Sequence, residues 1–109
     1  MIAMILWLNA CERKNNHKEE IIGLWTVIKE SDSITDHLRF YKSDSIRLQS
    51  FINDSIIQTL YGKYYFVNNN EYLITEFPDL VSVRSKIVKL TTDSLILDHN
   101  IITKFKREH

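Results

Sequence analysis

Ile21-Ile22-Gly23-Leu24-Trp25-Thr26-Val27-Ile28 is the first strand-like run in this chain, and a polar segment precedes it. Side chains alternate between the two faces of a β-strand, so Gly23, Trp25 and Val27 share one face. On that face a large indole stands next to a residue without a Cβ, an arrangement that suits the closed end of a β-barrel. We therefore expect Trp25 and Val27 to point into the fold.

Turn signals and apolar runs alternate along the rest of the chain. An Asp followed by a hydroxyl residue and then an apolar residue recurs in the segments 31–34, 43–46, 53–56 and 92–95. An Asp side chain can bond to nearby backbone and so favours a turn. The chain contains only 2 Gly and 1 Pro, so Asn, Asp and Ser must make most of its turns.

Eight strands are predicted between these turns, and no segment shows helical spacing. The predicted strands are residues 22–30, 36–42, 45–52, 55–67, 71–77, 80–91, 94–98 and 100–107. Short connections between them predict hairpins. The pattern predicts an all-β fold, an eight-stranded antiparallel up-and-down barrel, with a β-sandwich as the alternative.

Alternation along each strand predicts which side chains fill the barrel. The inward set is Trp25, Val27, Leu38, Phe40, Ile46, Leu48, Leu60, Phe66, Val81, Val83, Leu95, Leu97 and Phe105. In the fourth strand, Tyr64 with Phe66 competes with Tyr65 and Val67 for the inside. An eight-stranded barrel is just wide enough to be filled by side chains or to hold one small ligand.

Gly-x-Trp on the first strand, followed by meandering strands and a basic last strand, resembles the lipocalins. It is most similar to short lipocalin-like lipoproteins of Bacteroidetes-type bacteria. The resemblance implies that a basic residue of the last strand lies across the indole and closes the barrel with Gly23 and Trp25. The matching residue is Arg107, or Lys106 if the register is shifted by one.

The resemblance also implies a small hydrophobic ligand inside the barrel. Trp25 would form the floor of the site, and a rim of tyrosines (Tyr61, Tyr64, Tyr65 and Tyr72) would form its entrance, unless these rings only stabilise their hairpin. The predicted ligand-binding residues are Trp25, Val27, Phe40, Leu48, Leu60, Phe66 and Phe105.

The first twenty residues have the pattern of an export and anchoring segment. Residues 1–10 are mostly apolar, too few to span a bilayer, and typical of a signal peptide. Leu8-Asn9-Ala10-Cys11 resembles a bacterial lipobox, which predicts a lipid on Cys11 and a polar tether through residue 20, before the barrel domain of residues 21–109. The alternative is a buried strand at residues 1–8 with an inert thiol at Cys11.

On the lipobox interpretation the protein is anchored in the bacterial cell envelope, at the outer membrane, on its periplasmic side or at the cell surface. The single Cys allows no internal disulfide.

Charge and residue types argue against several other classes of function. Lys plus Arg and Asp plus Glu both number 14, and this balance disfavours a nucleic-acid partner. The histidines His17, His37, His99 and His109 lack metal-ligand spacing. No pattern of nucleophile, base and orienting group is apparent, so we expect a non-enzymatic protein without metal or cofactor.

Two hypotheses for function follow from the sequence. In the first, the barrel of an envelope lipoprotein binds a small hydrophobic molecule. In the second, the barrel has a solid core and is a protein–protein interaction module in the envelope. Its contact residues would then be Leu24, Ile28 and Ile102 on the outer face of the first and last strands.

Overall fold

The computed structural model describes residues 17–28 and 34–108 of the chain. One short helix precedes eight strands, which form a closed antiparallel barrel in sequence order. The elements are α1 (His17–Glu20), β1 (Gly23–Val27), β2 (Ile34–Phe40), β3 (Ser45–Ile52), β4 (Ser55–Val67), β5 (Tyr72–Glu76), β6 (Val83–Leu90), β7 (Ser94–Asp98) and β8 (Ile102–Glu108). The predicted eight-stranded up-and-down barrel is confirmed, in preference to the β-sandwich.

The largest error in the predicted strands concerns the start of β6. The prediction placed a strand at 80–91 with Val81 inside the barrel, but Val81 is 88% exposed. Pro78 and Asp79, the latter at φ 64°, form a turn after β5, and the ladder between β5 and β6 begins only at Thr75 and Val83. Val81 therefore lies in the connection between β5 and β6, before the part of the chain where side chains alternate between the two faces of a strand.

Asn and Asp make the turns of the barrel, as their frequency in the sequence predicted. The residues other than Gly with positive φ are Asp44, Asn53, Asp54, Asn68, Asn69, Asn70, Asp79 and Asn100 among those described. Their short polar side chains can bond locally, so they tolerate the left-handed region better than other residues.

The barrel has two ends that differ in construction. At the first, which we call the closed end, α1 lies with the turns at 41–44, 68–71 and 91–93. At the second, the open end, lie the turns at 53–54, 77–82 and 99–101. β4 is the longest strand, and its first half extends at the open end beyond the part that pairs with β5.

The core lies on the inner face and is densest toward the closed end. Its buried apolar residues are Ile21, Trp25, Phe40, Ile46, Tyr64, Leu73, Leu95, Leu97 and Phe105. Val27, Leu38 and Phe66 pack against this core while remaining partly exposed, and Leu48 and Leu60 are half-buried. Tyr64 is 1% exposed and Tyr65 45% exposed, which settles the register of β4 in favour of Tyr64 and Phe66 inside.

The segment before β1 is more ordered than predicted. Residues 17–20 were expected to belong to a solvated tether, but they form α1. The Lys18 ammonium pairs with the Asp44 carboxylate, and His17 Nδ1 donates to the Asn70 carbonyl oxygen at 3.0 Å. Ile21, directly after α1, has no exposed surface. An apolar anchor and two polar contacts therefore hold α1 against the closed end. The predicted signal peptide, Cys11 and the start of the tether lie outside the described residues.

Candidate functional site

Trp25 and Arg107 close one end of the barrel. They are direct partners in the ladder between β1 and β8, and the guanidinium carbon lies 4.3 Å from the centre of the indole. Trp25 is fully buried, and its Nε1 donates to the Ile21 carbonyl oxygen at 2.8 Å. The register places Arg107, and not Lys106, across the tryptophan.

Gly23 makes room for this contact. A Cβ at Gly23 would overlap Arg107 Nη1, so the guanidinium would have to move away from its present position. Its φ of 133° is also a conformation that residues with a Cβ rarely adopt. The backbone conformation and the position of the Arg107 guanidinium therefore both favour glycine here.

Arg107 also ties the N-terminal segment and a turn to the barrel. Its Nη1 donates to the Ile22 carbonyl oxygen at 2.7 Å, its Nη2 donates to that of Glu20, and its Nε donates to that of Thr92. One guanidinium thus satisfies three carbonyl groups, two in the N-terminal segment and one in the turn before β7. This geometry uses the planar fork of arginine, which a lysine could not replace.

Tyr64 completes the closed end on the opposite side of the core. Its hydroxyl donates to the Tyr41 carbonyl oxygen at 2.8 Å, and its ring meets those of Phe40 and Phe66 edge-on, at 5.0 and 6.2 Å. Burial raises the pKa of the Tyr64 phenol above its ordinary value. The aromatic pairs and this hydrogen bond make Tyr64 a structural residue.

This finding corrects the predicted tyrosine rim. Tyr64 is in the core, and the hairpin at 68–71 lies at the closed end, far along the barrel from any entrance. Tyr72 stacks beneath Arg84, whose guanidinium carbon is 4.2 Å from the ring centre. Tyr61 and Tyr65 are exposed on the outer surface. The four rings therefore do not surround a common opening.

An internal cavity of about 110 Å³ lies between the core and the open end. Its walls are mainly apolar and come from six of the eight strands and two connections. The lining residues are Leu38, Phe40, Ile46, Leu73, Thr75, Phe77, Val83, Ser85, Leu97, His99 and Phe105. Val83 is 40% exposed and His99 is also exposed, so the cavity reaches the surface at the open end.

Three polar residues face this cavity from one side. Ser85 is 4% exposed and lies on the same ladder row as Leu73, while Thr75 and His99 line the cavity nearer its mouth. His99 Nε2 is also 3.5 Å from the Thr103 hydroxyl. The cavity therefore combines apolar walls with hydroxyl and imidazole groups, the composition typical of a small-molecule site.

The predicted ligand-binding residues divide between the cavity and the core. Phe40 and Phe105 line the cavity. Trp25, Val27, Leu48, Leu60 and Phe66 lie elsewhere in the interior, and Phe66 is near the closed end, with its ring 6.1 Å from that of His17. The floor of the cavity is consequently formed by Phe40, Ile46 and Leu73, because Arg107 and the N-terminal segment enclose Trp25.

Comparison with known proteins finds no relative. No protein-family model matches this chain, and no curated protein or solved structure is detectably similar to it. Within residues 17–28 and 34–108 there is no helix long and apolar enough to cross a membrane. The same residues contain no group of three or more His, Cys, Asp or Glu side chains placed to hold a metal ion.

Thr75, Ser85 and His99 were not identified from the sequence. The prediction assigned inward positions only to large apolar residues, so small polar residues at the same positions were passed over. In β6 the predicted face continued from Val81 through Val83 to Ile87, and Ser85 lies on that face. An inward Ser in an otherwise apolar row was the available signal.

Proposed function

We propose that this barrel binds a small molecule with an apolar body and one polar end, which enters through the open end. The observation that carries this proposal is the cavity of about 110 Å³, with its apolar walls and three polar groups. Engineered apolar cavities of similar size hold compact molecules such as benzene. The ligand is therefore expected to be small, or to leave part of itself at the mouth.

The position of the polar groups indicates how such a ligand would lie. Ser85 is buried and His99 is exposed, so hydrogen-bonding groups extend from inside the cavity to its mouth on the β5 to β7 side. The apolar body would rest on Phe40, Ile46 and Phe105. A hydroxyl or carboxyl group of the ligand would then bond to Thr75, Ser85 or His99.

A series of straight-chain alcohols tests the proposal on the full chain. Butanol, hexanol and octanol should bind with an affinity that rises by about 0.8 kcal/mol for each added CH₂ until the cavity is full. Isothermal titration calorimetry measures the series. Absence of binding by all three alcohols, in a protein shown to be folded by circular dichroism, would contradict the proposal.

Two substitutions localise the site. Ser85→Leu should fill the cavity and abolish binding, whereas Thr75→Val keeps the volume and should cost about 0.5 to 1.5 kcal/mol of affinity through one lost hydrogen bond. Thr59→Val is the matched control, because Thr59 is exposed outside the cavity. Equal binding by all three variants would place the alcohols outside the barrel.

We also propose that Cys11 carries a lipid that holds the protein in the bacterial envelope. The lipobox-like Leu8–Cys11 supports this, and the chain enters the barrel through α1 at the closed end. A short anchor at Cys11 would direct the closed end to the membrane and leave the open end accessible. Incorporation of an alkyne-labelled fatty acid by a bacterial host, lost in Cys11→Ser, tests the anchor.

A second candidate function is binding of a protein partner on the outside of β1 and β8. Ile28 is 55% exposed and Ile102 60% exposed, and the Ile28 N–H donates to the Lys104 carbonyl oxygen at 2.8 Å. Leu24, the third predicted contact residue, is half-buried. Ile28→Lys with Ile102→Lys should abolish retention of an envelope protein in a pull-down without affecting alcohol binding.

A further inference from the structure

Asp36 places a carboxylate on the inner face of the barrel near its open end. Phe40 is buried in the core and Leu38 packs against it, so alternation along β2 also turns Asp36 inward. The Asp36 carboxylate accepts a hydrogen bond from the hydroxyl of Ser50, its ladder partner on β3, at 2.7 Å. Ser50 is itself only 8% exposed. The carboxylate is therefore held inside the barrel, and not on its outer surface.

Along β2, Asp36 lies between the cavity and the rim of the open end. β2 begins at the open end with Ile34, which is 41% exposed, and Asp36 is the next residue on the same face. The residue after that on this face, Leu38, lines the cavity, whereas Asp36 is half-buried and lies outside the lining. A ligand whose apolar body fills the cavity and whose polar end points to the mouth therefore extends to the level of Asp36.

The charge of Asp36 is not balanced by a cation of the protein. Among the inward-facing residues of the described strands, the charged ones are Asp36 and Arg107. Arg107 is at the closed end, where its guanidinium bonds to three backbone carbonyl groups. Within residues 17–28 and 34–108 the Asp36 carboxylate forms no ion pair. Because an unpaired charge inside a protein is unfavourable, a cation that reached this position would be stabilised.

The hydrogen-bonding capacity of this carboxylate also fits a cationic group. A carboxylate has about four acceptor positions, and the Ser50 hydroxyl occupies one of them. An ammonium group presents three N–H donors together with a positive charge, so it can form charge-assisted hydrogen bonds with Asp36. A ligand hydroxyl can form only a weaker bond there, and a ligand carboxylate would be repelled by the like charge. Asp36 therefore distinguishes ligands by the charge of their polar end.

We propose that Asp36 makes the open end selective for cations, and that the ligand of the cavity is a small apolar molecule ending in a protonated amine. This inference rests on the proposed function, because it names the polar end of the molecule that the cavity binds. Thr75, Ser85 and His99 can bond to a hydroxyl or a carboxyl group. Asp36 adds a preference among ligands with the same body, in the order amine, alcohol, carboxylate.

Hexylamine, hexanol and hexanoate, which have the same number of carbon atoms, test this order on the full chain. At neutral pH hexylamine is an ammonium ion, as the lysine side chain is. In isothermal titration calorimetry hexylamine should bind about tenfold more tightly than hexanol, and hexanoate about tenfold more weakly. Asp36→Asn removes the charge and keeps an oxygen that can accept from Ser50. It should weaken hexylamine binding about tenfold and change hexanol binding less than about twofold.

Asp54→Asn is the matched control, because Asp54 is exposed in a turn at the same end of the barrel and its φ of 70° suits Asn equally. It should bind all three ligands like the wild type, and circular dichroism verifies that both variants are folded. Hexanol binding without a preference for hexylamine would overturn the role of Asp36 and leave the proposed function standing. A preference that Asp36→Asn retains, or that Asp54→Asn loses equally, would do the same. Absence of binding by all three ligands would overturn both proposals.

Discussion

The closed and open ends of this barrel differ in how completely their backbone groups and apolar side chains are covered by other parts of the chain. At the closed end, the Arg107 guanidinium bonds to three carbonyl groups, Trp25 and Ile21 have no exposed surface, and α1 contacts the turns at 41–44 and 68–71. At the open end a cavity reaches the surface and half of β4 has no neighbour on one side. The same ladder of strands is thus complete at one end and incomplete at the other.

Most of the exposed large apolar residues lie toward the open end, although Tyr65 and Val88 are exposed toward the closed end. Ile52, Ile56, Leu80 and Ile101 are all at least 36% exposed, and all lie at or beside open-end turns. Single exposed apolar residues are common, but exposed apolar residues that lie together mark binding surfaces. The contacts that stabilise the barrel are therefore concentrated at the closed end, whereas most of the surface available for binding lies at the open end.

The largest effect is expected at Gly23. Gly23→Ala should lower the free energy of unfolding by about 3 kcal/mol, because the new Cβ displaces Arg107 and φ is held in a strained region. Urea denaturation measures the change. Leu24→Val, on the neighbouring half-buried residue, is the control and should cost less than about 1.5 kcal/mol. A loss of less than about 1 kcal/mol in Gly23→Ala would show that the Arg107 side chain can move away from the new Cβ at little cost, and would contradict this prediction.

The next effect separates two adjacent basic residues. Arg107→Ala should cost about 2 to 3 kcal/mol, through the lost contact with the indole and the lost hydrogen bonds to backbone. Lys106→Ala should change stability by less than about 0.5 kcal/mol, because Lys106 is exposed. Thermal and urea unfolding compare the two. Equal losses of stability in the two variants would contradict the conclusion that Arg107, and not Lys106, closes the barrel end.

The buried phenol gives a smaller effect that depends on pH. Tyr64→Phe should cost about 1 kcal/mol at neutral pH, through the lost bond to Tyr41. The raised pKa means that the folded state retains the phenolic proton better than the unfolded state does. Wild-type stability should therefore fall as pH rises above the ordinary tyrosine value of 10.0, and this contribution should be missing in Tyr64→Phe. Urea midpoints between neutral and strongly alkaline pH measure it, and parallel curves for the two proteins would contradict it.

The smallest effect is expected at the open end. Ile102→Thr should change the free energy of unfolding by less than about 0.5 kcal/mol, since Ile102 is 60% exposed. The same apolar-to-hydroxyl change at Ile21, which is fully buried, should cost several times as much, about 2 kcal/mol or more. Denaturation of both variants under one condition measures the contrast. Similar losses at the two positions would remove the distinction between the ends.

The barrel could be predicted from the sequence because its local signals agree with one another. Asp and Asn occupy the turns, and the apolar alternation of β3, β4 and β7 has the same bounds as the strands. The contact of Trp25 with Arg107 was also predicted, through the lipocalin resemblance, because it depends on one residue at each end of the chain. These features need only local propensity and strand order.

The candidate site was less accessible to prediction, because it depends on contacts between distant strands. Alternation places Ser85 on the inner face, but its burial beside Leu73 of β5 and the cavity around it depend on strand pairing that the sequence of β6 alone does not indicate. A register shift between Ile87 and Lys89 also interrupts the alternation of β6. α1 resembled a tether, since its four residues are all polar or charged, and only the neighbouring turns give it partners.

The most direct test of the division between the two ends is a titration of the isotope-labelled full chain with hexanol, followed by amide chemical shifts. We expect shift changes at Thr75, Ser85, Leu97 and Phe105, with Trp25, Tyr64 and Arg107 unchanged. Saturable changes confined to the cavity residues would support ligand binding at the open end. Changes centred on the closed end, or scattered over the outer surface, would contradict it.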